Sequence, residues 1–338
     1  MIRNRFSRTQ LITFRITTWA LVCAVVGLSI SFVFILKSKE LAYEIQPATP
    51  QTLPFPIGVD PATQTITEQA NLEFYQQHLF AHEYNASKLT LLQKIQKKFL
   101  KEGWYQNLAS VNTRILVIYA GQRKEEVIEA FGDILHWDMR ERATFESMVL
   151  GDQTILQEGL FFPGHYVVDS NATPEAVATL LLGRFNQNIT DRYAPEVAIH
   201  LPLQQALIIA SLLEREAYTF EDMRIISGVI WNRLFIDMKL QLDATLQYAK
   251  GSRSYESQWW PRPIPADKYI DSPYNTYQNT GLPPAPISNP SGTALLAALN
   301  PIASDCLFYF HDDFGKLHCS ENYGGHVEKL KEQYGQGR

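Results

Sequence analysis

Two glutamates close the run Ala210-Ser211-Leu212-Leu213-Glu214-Arg215-Glu216, and they are the side chains of this sequence best suited to acid–base chemistry. From Leu203 the residues ahead of them are apolar at Ala206, Leu207, Ile208, Ile209, Ala210, Leu212 and Leu213, which leaves a helix almost no polar side. Such a helix is buried. A carboxylate on a buried helix is costly to ionise, so it can keep a proton near neutral pH, as a general acid must. Glu214 and Glu216 are two positions apart, about 200° around a helix, and cannot serve one bond side by side. One is expected to work and the other to support it. Residue pattern alone also allows Glu214 to be a helix carboxylate paired with Arg215 or another neighbour, and it does not identify a reaction.

Downstream, Gln241, Asp243, Tyr274, Asn275 and Tyr277 offer amides, a carboxylate and aromatic rings. That is the composition a carbohydrate groove needs, because sugars present hydroxyls to polar groups and C–H faces to rings. Asn232 is assigned to the same substrate-binding set. Other chemistries find no support: the chain has no G-x-S-x-G, G-x-G-x-x-G, Walker loop, H-E-x-x-H or C-x-x-C. His311, His318 and His326 cluster with Asp312 and Asp313, yet their spacing matches no zinc pattern, so neither metal nor cofactor is expected.

The elements that position these residues can be read in part. Ser87 to Gly103 has helical spacing, with Lys94, Lys97, Lys98 and Lys101 in a stripe that reads as a solvated face. Thr113 to Tyr119 is a short apolar strand, and Gly121 turns it into a helix over Lys124 to Phe131. Glu158 to Tyr166 is an aromatic-rich turn. Thr173 caps a helix that opens on Pro174, and Thr219 with Asp222 caps another that carries Met223, Ile226, Ile230 and Leu234. Met238 to Asp243 alternates apolar and polar and is expected to be a strand with Gln241 and Asp243 facing a cleft. Ser272 to Pro290 is too rich in Pro, Asn and Gly for regular structure and reads as a long functional loop. Ala294 to Leu299 is a short helix, Cys306 to Phe310 and Lys316 to Ser320 form a hairpin, and a polar helix follows Gly325.

At 338 residues, with net charge -5 and 46% hydrophobic residues, the chain is globular, and no basic stripe outweighs its acid groups as nucleic-acid binding would need. Ile16 to Leu36 is uncharged and long enough to span a ~30 Å hydrocarbon core. Arg3, Arg5, Arg8 and Arg15 precede it, which keeps the N-terminus cytoplasmic and puts the rest outside the cytoplasm. A cleaved signal peptide is the alternative, but Lys37-Ser38-Lys39-Glu40 is a poor cleavage site. Leu41 to about Glu68, with Pro47, Pro50, Pro54, Pro56 and Pro61, is an extended spacer or a packed irregular segment. Cys306 and Cys319 flank the hairpin, and a disulfide or two free thiols are both open.

Taken together and in order, ASLLERE (210–216), NRL (232–234), MKLQLDAT (238–245), SPYNTY (272–277), GLPPAPISNPS (281–291), ALNP (298–301), LFYF (307–310) and HCS (318–320) with His326 resemble the endolytic murein transglycosylase family, and EGLFFPGHY (158–166) resembles its upstream element. The resemblance implies a membrane-anchored lyase that cuts peptidoglycan glycan strands internally and cooperates with peptidoglycan synthases. It implies Glu214 as the catalytic acid and base, Glu216 in support, and a 1,6-anhydro product. A non-catalytic wall-binding scaffold and a lysozyme-like muramidase, in which Asp243 activates water, are the alternatives. Ala244 stands where the family usually has proline, and Gly164 where an aspartate is common. The LysM-like subdomain that the resemblance implies leaves little trace in residues 41–120. The expected fold is α+β: a cytoplasmic tail (1–15), a transmembrane helix (16–36), an extracytoplasmic spacer and helical region (37–112), a small α+β subdomain (113–200) and a mixed α/β catalytic domain (201–338).

Overall fold

The computed structural model describes residues 53–80, 113–150, 157–253 and 256–335. The apolar stretch 16–36 and the lysine-striped segment 87–103 lie outside these residues. Among the described residues no helix is long and apolar enough to cross a membrane. From Leu53 onward the chain forms one unit.

Residues 53–80 are packed rather than a free spacer. A minimal ladder of β1 (Val59–Asp60) and β2 (Thr65–Ile66) leads into α1 (Leu72–Leu79), and Phe55, Val59, Leu72, Leu79 and Phe80 are buried in the main core. Next come β3 (Thr113–Ile118), α2 (Lys124–Ile134), α3 (Met139–Leu150) and β4 (Gly164–Asp169). β3 and β4 pair antiparallel from Thr113 opposite Asp169 to Ile118 opposite Gly164. The strand β4 was not expected, because its aromatic and Pro-Gly start (Phe161-Phe162-Pro163-Gly164) reads as a turn. A second core built from Leu116, Ile118, Val127, Phe131, Phe145 and Tyr166 belongs to this small unit. α4 (Pro174–Asn188) joins the two cores: Val177 and Leu181 pack into the small one, and Phe185 packs into the large one.

After α5 (Pro195–His200) come α6 (Leu203–Glu216) and α7 (Phe220–Phe235). Every residue of α6 from Ala206 to Leu213 is buried, as the absence of a polar side predicts. Thr219 and Asp222 form the expected reciprocal cap of α7. α8 (Asp243–Gly251) begins at the last residue of the stretch Met238–Asp243 that was expected to be a strand, and 238–242 are irregular. Leu240 and Leu242 do point inward, but Gln241 sits at φ 50°, in the left-handed region, which breaks the alternation. The segment hydrogen-bonds to a loop instead of a strand: Gln241 N donates to Thr276 O and Leu242 N to Thr276 Oγ1. The long loop then leads to α9 (Gly292–Leu299), which is nearly all buried and packs on α6 and α7. β5 (Phe308–His311) and β6 (Leu317–Ser320) form the expected hairpin, and α10 (Tyr323–Tyr334) ends the fold. A Cys306–Cys319 disulfide closes the hairpin. The α+β class holds for the described residues, but the part expected to be mixed α/β is a helical core with a single hairpin.

Candidate active site

α6 presents Ser211 and Glu214 on one face, since residues three apart are neighbours on a helix. The segment Pro286 to Ser291 lies along that face. Ser211 Oγ donates to Ile208 O and accepts from Ile287 N at 3.0 Å, while Ser288 Oγ donates to Ser211 O at 3.3 Å. One turn further, Glu214 Oε2 accepts from Ser291 N at 3.0 Å and from Ser291 Oγ at 2.6 Å. Ser291 is also the N-cap of α9, its Oγ accepting from Ala294 N at 3.0 Å. That acceptance commits the hydroxyl proton to Glu214. Oε2 therefore faces the N-terminus of α9 and accepts both donors of Ser291.

The other wall comes from the small unit. Gly121, at φ 81°, donates its N–H to Asn289 O at 2.9 Å, and a Cβ there would stand 3.4 Å from the Arg215 guanidinium and 3.7 Å from Glu214 Cγ. Those are ordinary contact distances, so it is the left-handed backbone of this turn, not lack of space, that favours glycine. Arg215 stacks 3.8 Å over the Trp260 ring, and Trp260 Nε1 donates to Glu126 Oε2 on α2. Asn289 is the buried junction of three segments. Its Nδ2 donates to Gln122 O and Glu158 Oε1, and its Oδ1 accepts from Gly159 N and Phe161 N.

Glu158 itself is buried and accepts from Lys124 N at the start of α2, while its Oε2 has no hydrogen-bond partner among the described residues. Burial, reinforced by the Glu125 charge, pushes its carboxyl up to about 8. Beside it the buried Arg123 lies 4.2 Å from the Tyr248 ring centre, and Tyr248 packs on Tyr274 at 4.7 Å. Tyr274, one of the expected groove residues, thus belongs to the side of the site that Trp260 and Arg215 share.

Glu216 points the other way. Its Oε1 accepts from Ala244 N at 3.2 Å, in the first turn of α8, and its Oε2 accepts from Tyr309 O–H at 3.0 Å. Proline at position 244 would lack that N–H, so alanine here adds a contact. Burial raises the Glu216 carboxyl above the usual range and the nearby Asp243 charge adds to this, while the Ala244 and Tyr309 hydrogen bonds pull it back. Asp243 and Tyr277, also expected in the groove, meet each other on this side, Tyr277 O–H donating to Asp243 Oδ1 at 2.7 Å. Gln241 is exposed next to them.

Two expected lining residues are spent inside the fold. Asn275 is fully buried, its Nδ2 donating to Lys268 O and Ile270 O and its Oδ1 accepting from Tyr277 N, so it shapes the loop. Asn232 Nδ2 donates to Ser304 O and Cys306 O and ties α7 to the irregular segment that leads into the hairpin. Neither amide is presented to a cleft as the sequence reading had it. Conversely, Ser291, Asn289, Glu158, Trp260 and Tyr309 were missed as site residues. Ser291 had a usable signal, a serine directly ahead of the apolar run GTALLAAL.

The chain was compared with known proteins. It is 34% identical over 176 residues to an endolytic murein transglycosylase of Streptococcus pneumoniae (serotype 2, strain D39 / NCTC 7466), covering 52% of this chain and 32% of the relative. It is also 34% identical over 179 residues to an endolytic murein transglycosylase of Bacillus subtilis (strain 168), covering 52% of this chain and 48% of the relative. The chain therefore matches about a third to a half of the length of these relatives. A crystal structure of a yceG-like protein from Listeria monocytogenes superposes with a TM-score of 0.53 at 25% identity, covering 82% of this chain and 98% of that one. The YceG-like family matches residues 61–332, which takes in most of both cores, Glu214 and every segment that walls it, and the chain belongs to that family.

Proposed function

We propose that this chain is an endolytic peptidoglycan lytic transglycosylase, cutting the bond between N-acetylmuramic acid and N-acetylglucosamine and leaving a 1,6-anhydro end. Family membership and the names of the relatives support the class. The observation that carries the residue assignment is the fixed carboxyl of Glu214, held on Oε2 by both donors of Ser291 beside the turn at Gly121. Protonated Glu214 donates to the glycosidic oxygen. The same group, now a carboxylate, takes the proton of the muramic C6 hydroxyl as that oxygen attacks C1. The nucleophile is the substrate's own hydroxyl, so no second carboxylate need activate water, unlike the two-carboxylate schemes of most glycosidases. Glu216, engaged with α8 and Tyr309, supports the helix end.

Digestion of purified sacculi followed by product analysis tests this reading: anhydro ends support it, reducing ends would replace it with a muramidase, and no cleavage with a binding scaffold. We also propose that residues 16–36 anchor the chain in the cytoplasmic membrane with the catalytic part outside. The Cys306–Cys319 pairing suits an oxidising compartment. The unit from β3 to β4, with its own core, is our candidate for the LysM-like subdomain, in place of residues 41–120. Cooperation with peptidoglycan synthases remains a proposal from the family, and co-purification in detergent would check it.

A further inference from the structure

Arg215 stands between the two acids of α6, and its charge has no contact partner in the fold. Among the described residues no hydrogen bond or ion pair involves its guanidinium, and Nε is buried without one. Nη1 and Nη2 are likewise unpartnered, and they are not buried, so both are open to solvent. Glu126, Glu214 and Glu216 act on the charge from a distance, but each is committed elsewhere. Glu126 Oε2 accepts from Arg123 N and Trp260 Nε1, Glu214 Oε2 from Ser291, and Glu216 from Ala244 N and Tyr309 O–H. Burial penalises a cation that nothing neutralises by contact. Such a guanidinium is short of an anion.

The guanidinium is also held in place and close to the acid. It stacks 3.8 Å over the Trp260 ring, which fixes its plane. With Nε inside, the edge left open is the pair Nη1 and Nη2, a fork that takes both oxygens of a carboxylate. The point where Gly121 would carry a Cβ is 3.4 Å from Nη1 and 3.7 Å from Glu214 Cγ, so those two atoms are no further apart than the two distances laid end to end. We propose that Arg215 is a carboxylate-binding residue for the substrate, holding an acid group borne by the muramic residue whose C1 Glu214 serves. This inference rests on the proposed function for the identity of the strand. The glycan carries its acid groups on one branch, the lactyl ether at muramic C3, close to C1. In a peptide-free strand the lactyl end is itself a carboxylate, and in a peptide-bearing strand it is an amide that leads to the carboxylates of the stem peptide. Both hang from the same branch. Glu214 is protonated when it meets the glycosidic oxygen, so one of the three acid charges around Arg215 is absent at that moment. A neutral hydroxyl or amide could accept from Arg215 without countering its charge, whereas a carboxylate does both.

Strand binding to the full-length Glu214→Gln chain in detergent tests this without turnover. The probes are peptide-free strands and peptide-bearing strands, each as prepared and with every carboxyl converted to a methylamide. Adding Arg215→Gln should weaken binding of the strands that carry the recognised carboxylate by at least about tenfold, the scale of one lost charge-assisted contact, and leave their methylamide forms within about twofold. A loss on peptide-free strands assigns the lactyl carboxylate, and a loss confined to peptide-bearing strands assigns the stem peptide. Arg215→Lys keeps the charge but not the fork and should recover part of the affinity. In the active chain, Arg215→Gln should raise KM on the same strands more than it lowers kcat. An equal loss on charged and methylamide strands would overturn the proposal, as would no loss at all. So would a fall in kcat at constant KM, which would make Arg215 an electrostatic support of Glu214. If Arg215→Gln melts far below its parent, Arg215→Lys carries the same comparison, and an undiminished preference for charged over methylamide strands would overturn the proposal. Absence of anhydro products from the wild type, with strand binding intact, would instead overturn the proposed function.

Discussion

Glu214 and Glu216 are the same residue type, two positions apart on one helix, and each meets the N-terminus of another helix. Glu214 meets α9 through Ser291, and Glu216 meets α8 through Ala244. What differs is how much of the chain builds each surrounding. The Glu214 side is assembled from the turn after β3, the Glu158–Phe161 turn and the loop at 286–291, all locked by Asn289. The Glu216 side needs only the start of α8 and one tyrosine of β5. Both acids are half-buried; the Glu214 carboxyl is walled by a separate small unit, and the Glu216 carboxyl is engaged by a helix start and a hydroxyl. The comparison teaches that partner elements, not residue type or local sequence, divide the labour.

The largest effect should come from the acid itself. Glu214→Gln should lower anhydro-muropeptide formation by about 10²–10⁴-fold with an unchanged melting temperature, the usual worth of a positioned proton donor. Parent-like turnover would break the comparison at once. Ser291→Ala removes the hydroxyl that donates to Glu214 and caps α9. We expect roughly tenfold lower kcat and a loss of about 1 kcal/mol in stability, read from kinetics and urea melts.

Glu158 sharpens the comparison through pH. Its folded-state value of about 8 lies above the ordinary 4.5, so the folded chain binds more protons than the unfolded one between those values. The stability it contributes is complete below pH 4.5 and is lost as pH rises through 8. Glu158→Gln, which stays neutral, should flatten this decline, retaining on the order of a few kcal/mol at alkaline pH, and melting temperatures from pH 5 to 9 would show it. An unchanged slope would mean that Glu158 is not the titrating group. Smaller again is Glu216→Gln, for which we expect activity within about threefold and a stability loss near 1 kcal/mol. The smallest effect should be Tyr309→Phe, costing about 0.5 kcal/mol with kcat retained, since it deletes one hydrogen bond on the supporting side.

Much of this architecture was legible from residue patterns. The fully apolar run from Ala206 to Leu213 required a buried helix, Thr173 and Thr219 marked helix starts, and Pro and Asn in 272–290 excluded regular structure, because each of these rests on short-range backbone and burial physics. The angular separation of Glu214 and Glu216 was likewise fixed by helical geometry. Met238 to Asp243 misled because alternation reports which side chains are inside and not what the backbone pairs with; Thr276 took the role of a neighbouring strand. Asn232 and Asn275 misled for a related reason, since an amide looks the same in a sequence whether it faces a ligand or completes a loop. Ser291, Asn289, Glu158 and Tyr309 could be assigned only by tertiary structure. Their contacts with the α6 acids or with one another span from 77 residues, for Ser291 with Glu214, to 131, for Asn289 with Glu158, and no local pattern encodes a hydrogen bond over that separation. The sequence by itself determined that one buried helix ends in two acids that cannot share a bond. Which of them meets a wall built by a second core was decided where distant segments closed around Asn289, because only there are their buried polar groups satisfied together.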